Sequence, residues 1–378
     1  MRILITGAKG FIGKNIALRL RCEGYTDIME VDIDTPPEVL ESAVKTCEFV
    51  FHFAGVNRPP DASEYMPGNF GFTTKLLGML KAASNKCPVL VTSSIQASLE
   101  NPYGKSKKAA EDYMFSYAEE TGAKAMVYRL PNAFGKWCRP NYNSVIATFC
   151  NNIANGLPIK VNDPNIEMHL AYIDDIADEF LRALKGNPTR GDGAEISEKF
   201  MMVPVTHRAK LGEIADEIFE FKKSRKNLEI PNMPTGSLSS KLYSTYLSYI
   251  PADGFSYPLN TNPDERGSFT EFLRTPDRGQ VSVNIIKPGV TKGNHWHHSK
   301  NEKFLVVKGT ASIKFRKIGD DKIIEYAASG NKLEVVDIPP GYTHNITNVG
   351  NDDLITVMWA SEAFNPNKQD TYFEKVDE

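Results

Sequence analysis

The sequence predicts two domains of different class, a doubly wound parallel α/β sheet over residues 1–245 and an all-β barrel over residues 246–378. Three observations predict them. Between Ile3 and Leu130, short and almost wholly apolar runs alternate with amphipathic helical stretches, the pattern of a parallel sheet covered on both faces. Between Tyr257 and Trp359, short strand-like runs are separated by Gly, Asn and Asp turns, as a barrel requires. A chain of 378 residues also exceeds what one core serves, so two or three domains are expected. The turn-rich passage NMPTGSLSS precedes the boundary, which is placed between Ser244 and Tyr249.

Composition narrows the partners and the compartment. A net charge of -3 argues against non-specific binding to nucleic acid or to an anionic membrane, both of which need a basic excess. No stretch approaches the ~18 consecutive apolar residues of a membrane span. Met1 leads directly into the apolar run Ile3 to Ile5 without a charged and apolar leader, so secretion is not expected. The five cysteines are odd in number and form no CxxC pair, which fits a reducing cytoplasm and argues against a cysteine metal site.

The first element is the strand RILIT, running into Gly7-Ala8-Lys9-Gly10-Phe11-Ile12-Gly13 and then a helix with Ile12, Ile16 and Leu20 on one face. Glycines let the backbone approach a pyrophosphate, and the helix N-terminus presents N–H groups and a positive dipole end to it. The second strand, Asp27 to Val31, ends in Asp32, about 20 residues onward, where a carboxylate meets a ribose hydroxyl. A third strand runs from Phe49 to Gly55 and ends in Ala54-Gly55. A fourth, Val89 to Thr92, ends at Ser93 and Ser94. His52, inside the third strand, reads as a satisfied sheet residue. Next, Asn101-Pro102-Tyr103-Gly104-Lys105-Ser106-Lys107 opens a helix that places Tyr103 and Lys107 on one face. An ammonium beside a phenol lowers its pKa and equips it for proton transfer.

These residues resemble the extended short-chain dehydrogenase/reductase family, a Rossmann-type fold. The likeness rests on Gly7-x2-Gly10-x2-Gly13, Ala54-Gly55, Ser94, Tyr103-x3-Lys107, Arg129-x2-Asn132-x2-Gly135 and Tyr172-Ile-Asp174-Asp175. It implies a nicotinamide dinucleotide held by Gly7, Lys9, Gly10, Phe11, Ile12, Gly13, Asp32, Ala54, Gly55, Tyr103 and Lys107. It further implies Tyr103, Lys107 and Ser94 as catalytic residues and Asn132 as a substrate contact. Only nine positions separate Ser94 from Tyr103, fewer than the family usually has, so the loop between them is cut back. Asp32 favours NAD by accepting from a ribose 2′-hydroxyl and repelling a 2′-phosphate. Lys9 acts the other way, since its ammonium can meet that phosphate.

In the predicted barrel, Gly289 to Gly309 places His295 and His297 on one side of a strand, with Glu302 after a polar turn. Pro339 to Asn348 adds His344 beyond a Pro and Gly turn. Three imidazoles and a carboxylate suit zinc, iron, nickel, copper or manganese. The spacings Gly289-x5-His295-x-His297-x4-Glu302-x6-Gly309 and Pro339-x-Gly341-x2-His344-x3-Asn348 resemble the two motifs of the cupins, which are jelly-roll barrels. Asp264-x-Arg266-Gly267-x-Phe269-x-Glu271 is similar to a segment of the dTDP-4-keto-sugar epimerases. That likeness implies Arg266 and Phe269 as contacts to a nucleotide sugar.

Over nearly its whole length the chain resembles the bacterial capsule enzymes of the CapF type, through NPYGKSK, FGKWCRPNYNSVIATF, LYSTYLSY and DRGQVSVN. The resemblance implies a bifunctional homodimer with NADPH and Zn2+, acting on a UDP-2-acetamido-2,6-dideoxy-4-hexulose. The cupin would invert C3 and the reductase would then reduce C4 to UDP-2-acetamido-2,6-dideoxy-L-talose, on the route to UDP-N-acetyl-L-fucosamine. Two other readings compete: a cupin dioxygenase fused to a reductase, and a cupin that serves only as a metal-stabilised dimerisation module.

Overall fold

The computed structural model describes residues 1–363 and 370–377. The chain divides into two compact units, Met1–Phe219 with Pro234–Pro251, and Glu220–Met233 with Ala252–Glu378. The division therefore falls at Pro251 rather than at residue 245, and Glu220–Met233 joins the second unit although it precedes the end of the first. Backbone pairing explains this: Ile230 N–H donates to the Arg274 carbonyl at 2.8 Å and Arg274 N–H to the Leu228 carbonyl at 2.7 Å.

In the first unit, strands β1 (Ile3–Thr6), β2 (Ile28–Val31), β3 (Phe49–His52), β4 (Val89–Ser94) and β5 (Ala125–Leu130) form a sheet in the order β2-β1-β3-β4-β5. All four pairings are parallel. The helices α1 (Phe11–Cys22), α2 (Pro37–Thr46), α3 (Phe72–Ala82) and α4 (Pro102–Thr121) connect them. A smaller sheet, β6 (Asn132–Phe134), β7 (Glu167–Tyr172) and β8 (His207–Lys210), follows, with α5 (Val145–Ala154), α6 (Ile173–Leu184), α7 (Leu211–Asn227), whose residues from Glu220 onward belong to the second unit, and α8 (Leu238–Leu247). Strand side chains alternate faces, so each strand feeds two cores. Ile3, Ile5, Phe51, Leu90 and Tyr128 pack with Ile16 and Leu20 of α1 and Phe180 of α6. Leu4, Val50, Val89 and Val127 pack with Val44 of α2, Leu76 and Leu80 of α3, and Met114 of α4. Burial on both faces is why these strands carry no polar alternation. The strand order reverses between β1 and β3, the crevice at which doubly wound sheets bind ligands.

The second unit is an all-β jelly-roll of two antiparallel sheets. Its strands are β9 (Thr261–Asp264), β10 (Gly267–Thr275), β11 (Gly279–Ile286), β12 (Thr291–Trp296), β13 (Glu302–Lys308), β14 (Thr310–Lys317), β15 (Ile323–Ser329), β16 (Val335–Ile338), β17 (Tyr342–Asn348), β18 (Leu354–Ala360) and β19 (Tyr372–Phe373). One sheet runs β16-β13-β18-β11-β10-β9 and the other β15-β14-β17-β12-β19. Ile286, Phe304, Val306, Ile313, Phe315, Ile346 and Leu354 form its core. Among the described residues, no helix is long and apolar enough to cross a membrane.

Candidate functional site

The glycine turn lies at the strand-order reversal. Gly7 has φ +70°, and a Cβ there would stand 2.6 Å from the Ala54 nitrogen; one on Gly13 would stand 2.2 Å from the Gly7 carbonyl oxygen. Side chains at these positions would push apart the end of β1, the end of β3 and the start of α1. Gly10 is the N-cap of α1 and brings no side-chain cap, so Phe11 and Ile12 open a helix whose N-terminus is left to a ligand. At the end of β2, the Asp32 carboxylate accepts from the N–H groups of Lys9 at 2.7 Å and Ile33 at 2.8 Å. The Lys9 ammonium, expected to meet a 2′-phosphate, is paired here with the Asp34 carboxylate at the exposed rim of the turn. That contact, more than the nearby charges, raises the Lys9 pKa.

Beside this turn stands the Tyr103 and Lys107 pair, carried on the first turns of α4, which Asn101 caps by accepting from Gly104 N–H at 2.7 Å. The Tyr103 hydroxyl donates to Asn57 Oδ1 at 3.0 Å. The Lys107 ammonium lies 5.9 Å from the Tyr103 ring centroid and donates to the Thr92 carbonyl at 3.2 Å. A Cβ on Gly55 would come within 3.3 Å of that ammonium. Burial pushes the Tyr103 phenol up to about 12, against a hydrogen bond with Ser94 that favours the phenolate. Burial likewise pushes Lys107 down to about 8, against the raising influence of Glu111. The expectation of a lowered tyrosine pKa is thus corrected: desolvation of the phenol outweighs the Ser94 hydrogen bond. Ser94 also accepts from Gln96 N–H at 3.2 Å.

Behind Lys107, Glu111 is buried and accepts from Ser93 Oγ at 2.6 Å and from Arg129 Nε and Nη2 at 2.9 and 2.7 Å. Asn132 is exposed on β6, and its amide donates to the His169 carbonyl at 3.1 Å, a contact that involves neither Tyr103 nor Lys107. His52 is engaged by Thr6 Oγ1 at 2.7 Å and Thr73 Oγ1 at 3.0 Å, a satisfied sheet residue as expected.

In the second unit, His295, His297, Glu302 and His344 converge, with one ligand atom from each lying within 4.8 Å of the others. His295 on β12 sits directly opposite His344 on β17, and Glu302 opens β13 in the other sheet, so the cluster bridges both sheets. A register shift between Gly293 and His295, with Asn294 at φ 60°, turns His295 toward that cluster. The Nε2 atoms of His297 and His344 are buried without a hydrogen-bond partner, lying 3.8 and 3.4 Å from Glu302 Oε2. Buried imidazole nitrogens left unpaired around a carboxylate are what a metal ion would satisfy, so the four residues fit a divalent cation. His297 Nδ1 meets the Asp370 carbonyl, which can only accept, so the proton is on Nδ1 and the Nε2 lone pair faces the cluster. Burial, then the neighbouring His344, pushes His295 down to about 4. Burial opposes ionisation of Glu302, but His297, His344 and Lys300, whose ammonium lies 3.1 Å from Oε1, hold its carboxyl well below the usual range.

A cavity of about 500 Å³ opens onto this cluster, lined by Phe269, Glu271, Lys292, His295, Glu302 and His344 among others. Phe269, expected as a sugar contact, is among the residues lining it. Arg266 does not line the cavity: its guanidinium is exposed and paired with Asp264, with Nη2 at 2.6 Å. The hairpin turn joining β9 to β10 accounts for this, because residues two apart across it hold each other. Sequence reasoning missed Asn57, Lys300 and Asp370. Lys300 sits two residues before Glu302 and was open to notice, whereas Asn57 and Asp370 reach their partners from distant segments.

Comparison with known proteins agrees with both halves. Residues 3–196 match the model of the NAD dependent epimerase/dehydratase family, and residues 262–372 match the polysaccharide biosynthesis C-terminal domain. The UDP-2-acetamido-2,6-beta-L-arabino-hexul-4-ose reductase of Pseudomonas aeruginosa is 41% identical over the whole of both chains. The crystal structure of the capsular polysaccharide assembling protein CapF from Staphylococcus aureus superposes with a TM-score of 0.93 at 53% identity, each chain covered completely. A structure of CapF with the inhibitor 3-isopropenyl-tropolone gives 0.88 at 50% identity, also over both full chains. The α/β unit and the appended barrel are thus shared architecture, and the chain belongs to the NAD dependent epimerase/dehydratase family, extended by a polysaccharide biosynthesis C-terminal domain.

Proposed function

We propose that this protein is a bifunctional nucleotide-sugar enzyme of capsule polysaccharide synthesis. Its substrate is a UDP-2-acetamido-2,6-dideoxy-4-hexulose. The barrel, read as a cupin, inverts C3, and the α/β unit reduces C4 to give UDP-2-acetamido-2,6-dideoxy-L-talose on the route to UDP-N-acetyl-L-fucosamine. The observation that carries this reading is one chain holding both a Tyr103 and Lys107 pair and a His3Glu cavity, with a hexul-4-ose reductase 41% identical along its full length.

In the reductase site the cofactor, NADPH on the CapF-type resemblance, supplies the hydride when bound. Tyr103 does the proton work: with its pKa pushed up to about 12 it is a neutral donor at pH 7, and its proton goes to O4 as C4 is reduced. The O–H now directed at Asn57 must turn to the substrate oxygen. Lys107 keeps a positive charge beside the oxygen that Tyr103 leaves behind, and Ser94 offers a second hydrogen bond there. Asn132 is assigned to the sugar, and Arg266 reaches it only by exchanging Asp264 for the ligand.

In the barrel, His295, His297, Glu302 and His344 would hold a Zn2+ ion, whose chemistry when bound is to draw electron density from a carbonyl oxygen. A tropolone is a bidentate oxygen chelator, and its use as an inhibitor of CapF supports a metal in this class. Phe269 gives the sugar an apolar wall, and Lys292 and Lys300 make the cavity attractive to an anionic substrate. The resemblance also carries a homodimer, which sedimentation velocity tests. The function is tested by mass and NMR analysis of products from the UDP-4-keto sugar with NADPH. The expected product is inverted at C3 and reduced at C4, and a product reduced with the original C3 configuration would remove the epimerase.

A further inference from the structure

We propose that the metal centre has a third part, the C-terminal segment 370–377, in which Asp370 is a positioning residue that holds His297 and the loop behind it in ligating geometry. The inference rests on the metal reading above. His297 lies one residue past the end of β12, and there its backbone is held by one hydrogen bond, its carbonyl accepting from Gly341 N–H at 2.9 Å. Asp370 holds its side chain and the residues that follow. Its carbonyl meets His297 Nδ1, while Oδ1 accepts from His298 N–H at 2.8 Å, and Oδ2 accepts from Ser299 N–H at 2.8 Å, Lys300 N–H at 2.9 Å and Ser299 Oγ at 3.1 Å. One residue thus pins His297 through Lys300, and Ser361 holds Asn301, the last residue before Glu302.

The rest of the segment secures Asp370 to both histidine strands. Phe373 pairs with His295 across β19 and β12. Glu374 N–H donates to the Asn294 carbonyl at 2.9 Å, at the register shift that aims His295. The Glu374 carbonyl accepts from Thr343, the residue before His344. Arg316, nearly buried, anchors the end by donating to the Val376 carbonyl at 3.0 Å, the Lys375 carbonyl at 2.8 Å and Glu374 Oε1 at 2.9 Å. Every histidine ligand is therefore within one residue of a contact from this segment or is itself contacted by it.

The test is metal affinity in the full chain, with cobalt(II) and zinc(II) as probes in competition with a chromophoric chelator. Outer partners of a ligating histidine typically contribute about 10–100-fold to metal affinity. Asp370→Ala keeps the carbonyl partner but loses the carboxylate that places it, so it should bind both ions more weakly by about tenfold, the lower end of that range. Asp370→Asn, which keeps the shape and an acceptor oxygen, should fall between it and wild type, and it decides the matter if Asp370→Ala does not fold. The cobalt(II) visible spectrum of Asp370→Ala should also change, because the backbone of 298–300 is no longer tied to the segment whose carbonyl meets His297. A role confined to stability would lower the melting temperature of the metal-free protein and leave affinity and spectrum as in wild type, which would overturn the proposal. Failure of wild type to bind either ion would instead overturn the metal reading itself, and this inference with it.

Discussion

Replacing Lys107 by methionine should make the α/β unit more stable at neutral pH while abolishing reduction. The Lys107 pKa is pushed from 10.5 down to about 8, chiefly because its ammonium is buried. The unfolded chain therefore binds this proton more tightly than the folded one, and wild type gains stability as pH rises from about 8 toward 10.5. Linkage between those two values gives a cost of about 3 kcal/mol at pH 7 and about 1.4 kcal/mol at pH 9.5. Methionine escapes this cost but strands the Thr92 carbonyl, a loss of about 1 kcal/mol that does not depend on pH. Lys107→Met should thus exceed wild type by about 2 kcal/mol at pH 7 and by less than 1 kcal/mol at pH 9.5. Urea unfolding followed by far-ultraviolet circular dichroism reports this unit, which holds nearly all the helix. A stability difference that stays constant between the two pH values would refute the reasoning, because burial would then not be penalising the charge.

Three further outcomes are expected. NADPH should be preferred over NADH, and Asp34→Asn should widen the preference by releasing the Lys9 ammonium; fluorescence titration showing equal affinities in both proteins would remove Lys9 from the argument. Gly13→Ala should weaken dinucleotide binding at least tenfold, since its Cβ would stand 2.2 Å from the Gly7 carbonyl oxygen and displace the turn; calorimetric titration measures it. A chelator, or His295→Ala, should strip the metal and lower the melting temperature of the barrel without changing NADPH affinity, because the two units have separate cores; a parallel loss of cofactor affinity would contradict this.

The α/β class was legible because burial on two faces leaves an unmistakable apolar run, as in Ile3–Thr6, Phe49–His52 and Val89–Ser94, and the barrel was legible from its turn residues. The strand order was not, since whether β3 pairs with β1 or with β2 is settled by helices packing over long distances. Ligand spacing disclosed the His3Glu set, because cross-strand neighbours such as His295 and His344 sit in motifs with turns of fixed length. The supporting contacts left no such trace. Asn57 reaches Tyr103 from 46 residues away and Asp370 reaches His297 from 73, and neither separation has a local pattern. Lys9 shows a further limit: with Asp32 and Asp34 both at the end of β2, only side-chain geometry decides which carboxylate holds the ammonium. The phenol of Tyr103 was misjudged because sequence proximity to Lys107 reveals the charge but not the burial.

On the proposed function, epimerisation in the barrel comes first and reduction at Tyr103 second. A proton on C3 is acidic only while C4 is a ketone, because the carbanion then delocalises onto the oxygen, and hydride addition at C4 ends that acidity. Tyr103→Phe in heavy water, given the UDP-4-keto sugar and NADPH, separates the two steps. It should exchange deuterium into C3 while consuming no NADPH, since it loses only the proton donor for the reduced oxygen. The His295→Ala protein should fail to exchange C3 of the starting sugar yet still reduce a sugar already inverted there. If Tyr103→Phe abolished deuterium uptake as well, both steps would belong to the reductase site and the barrel would have no catalytic part.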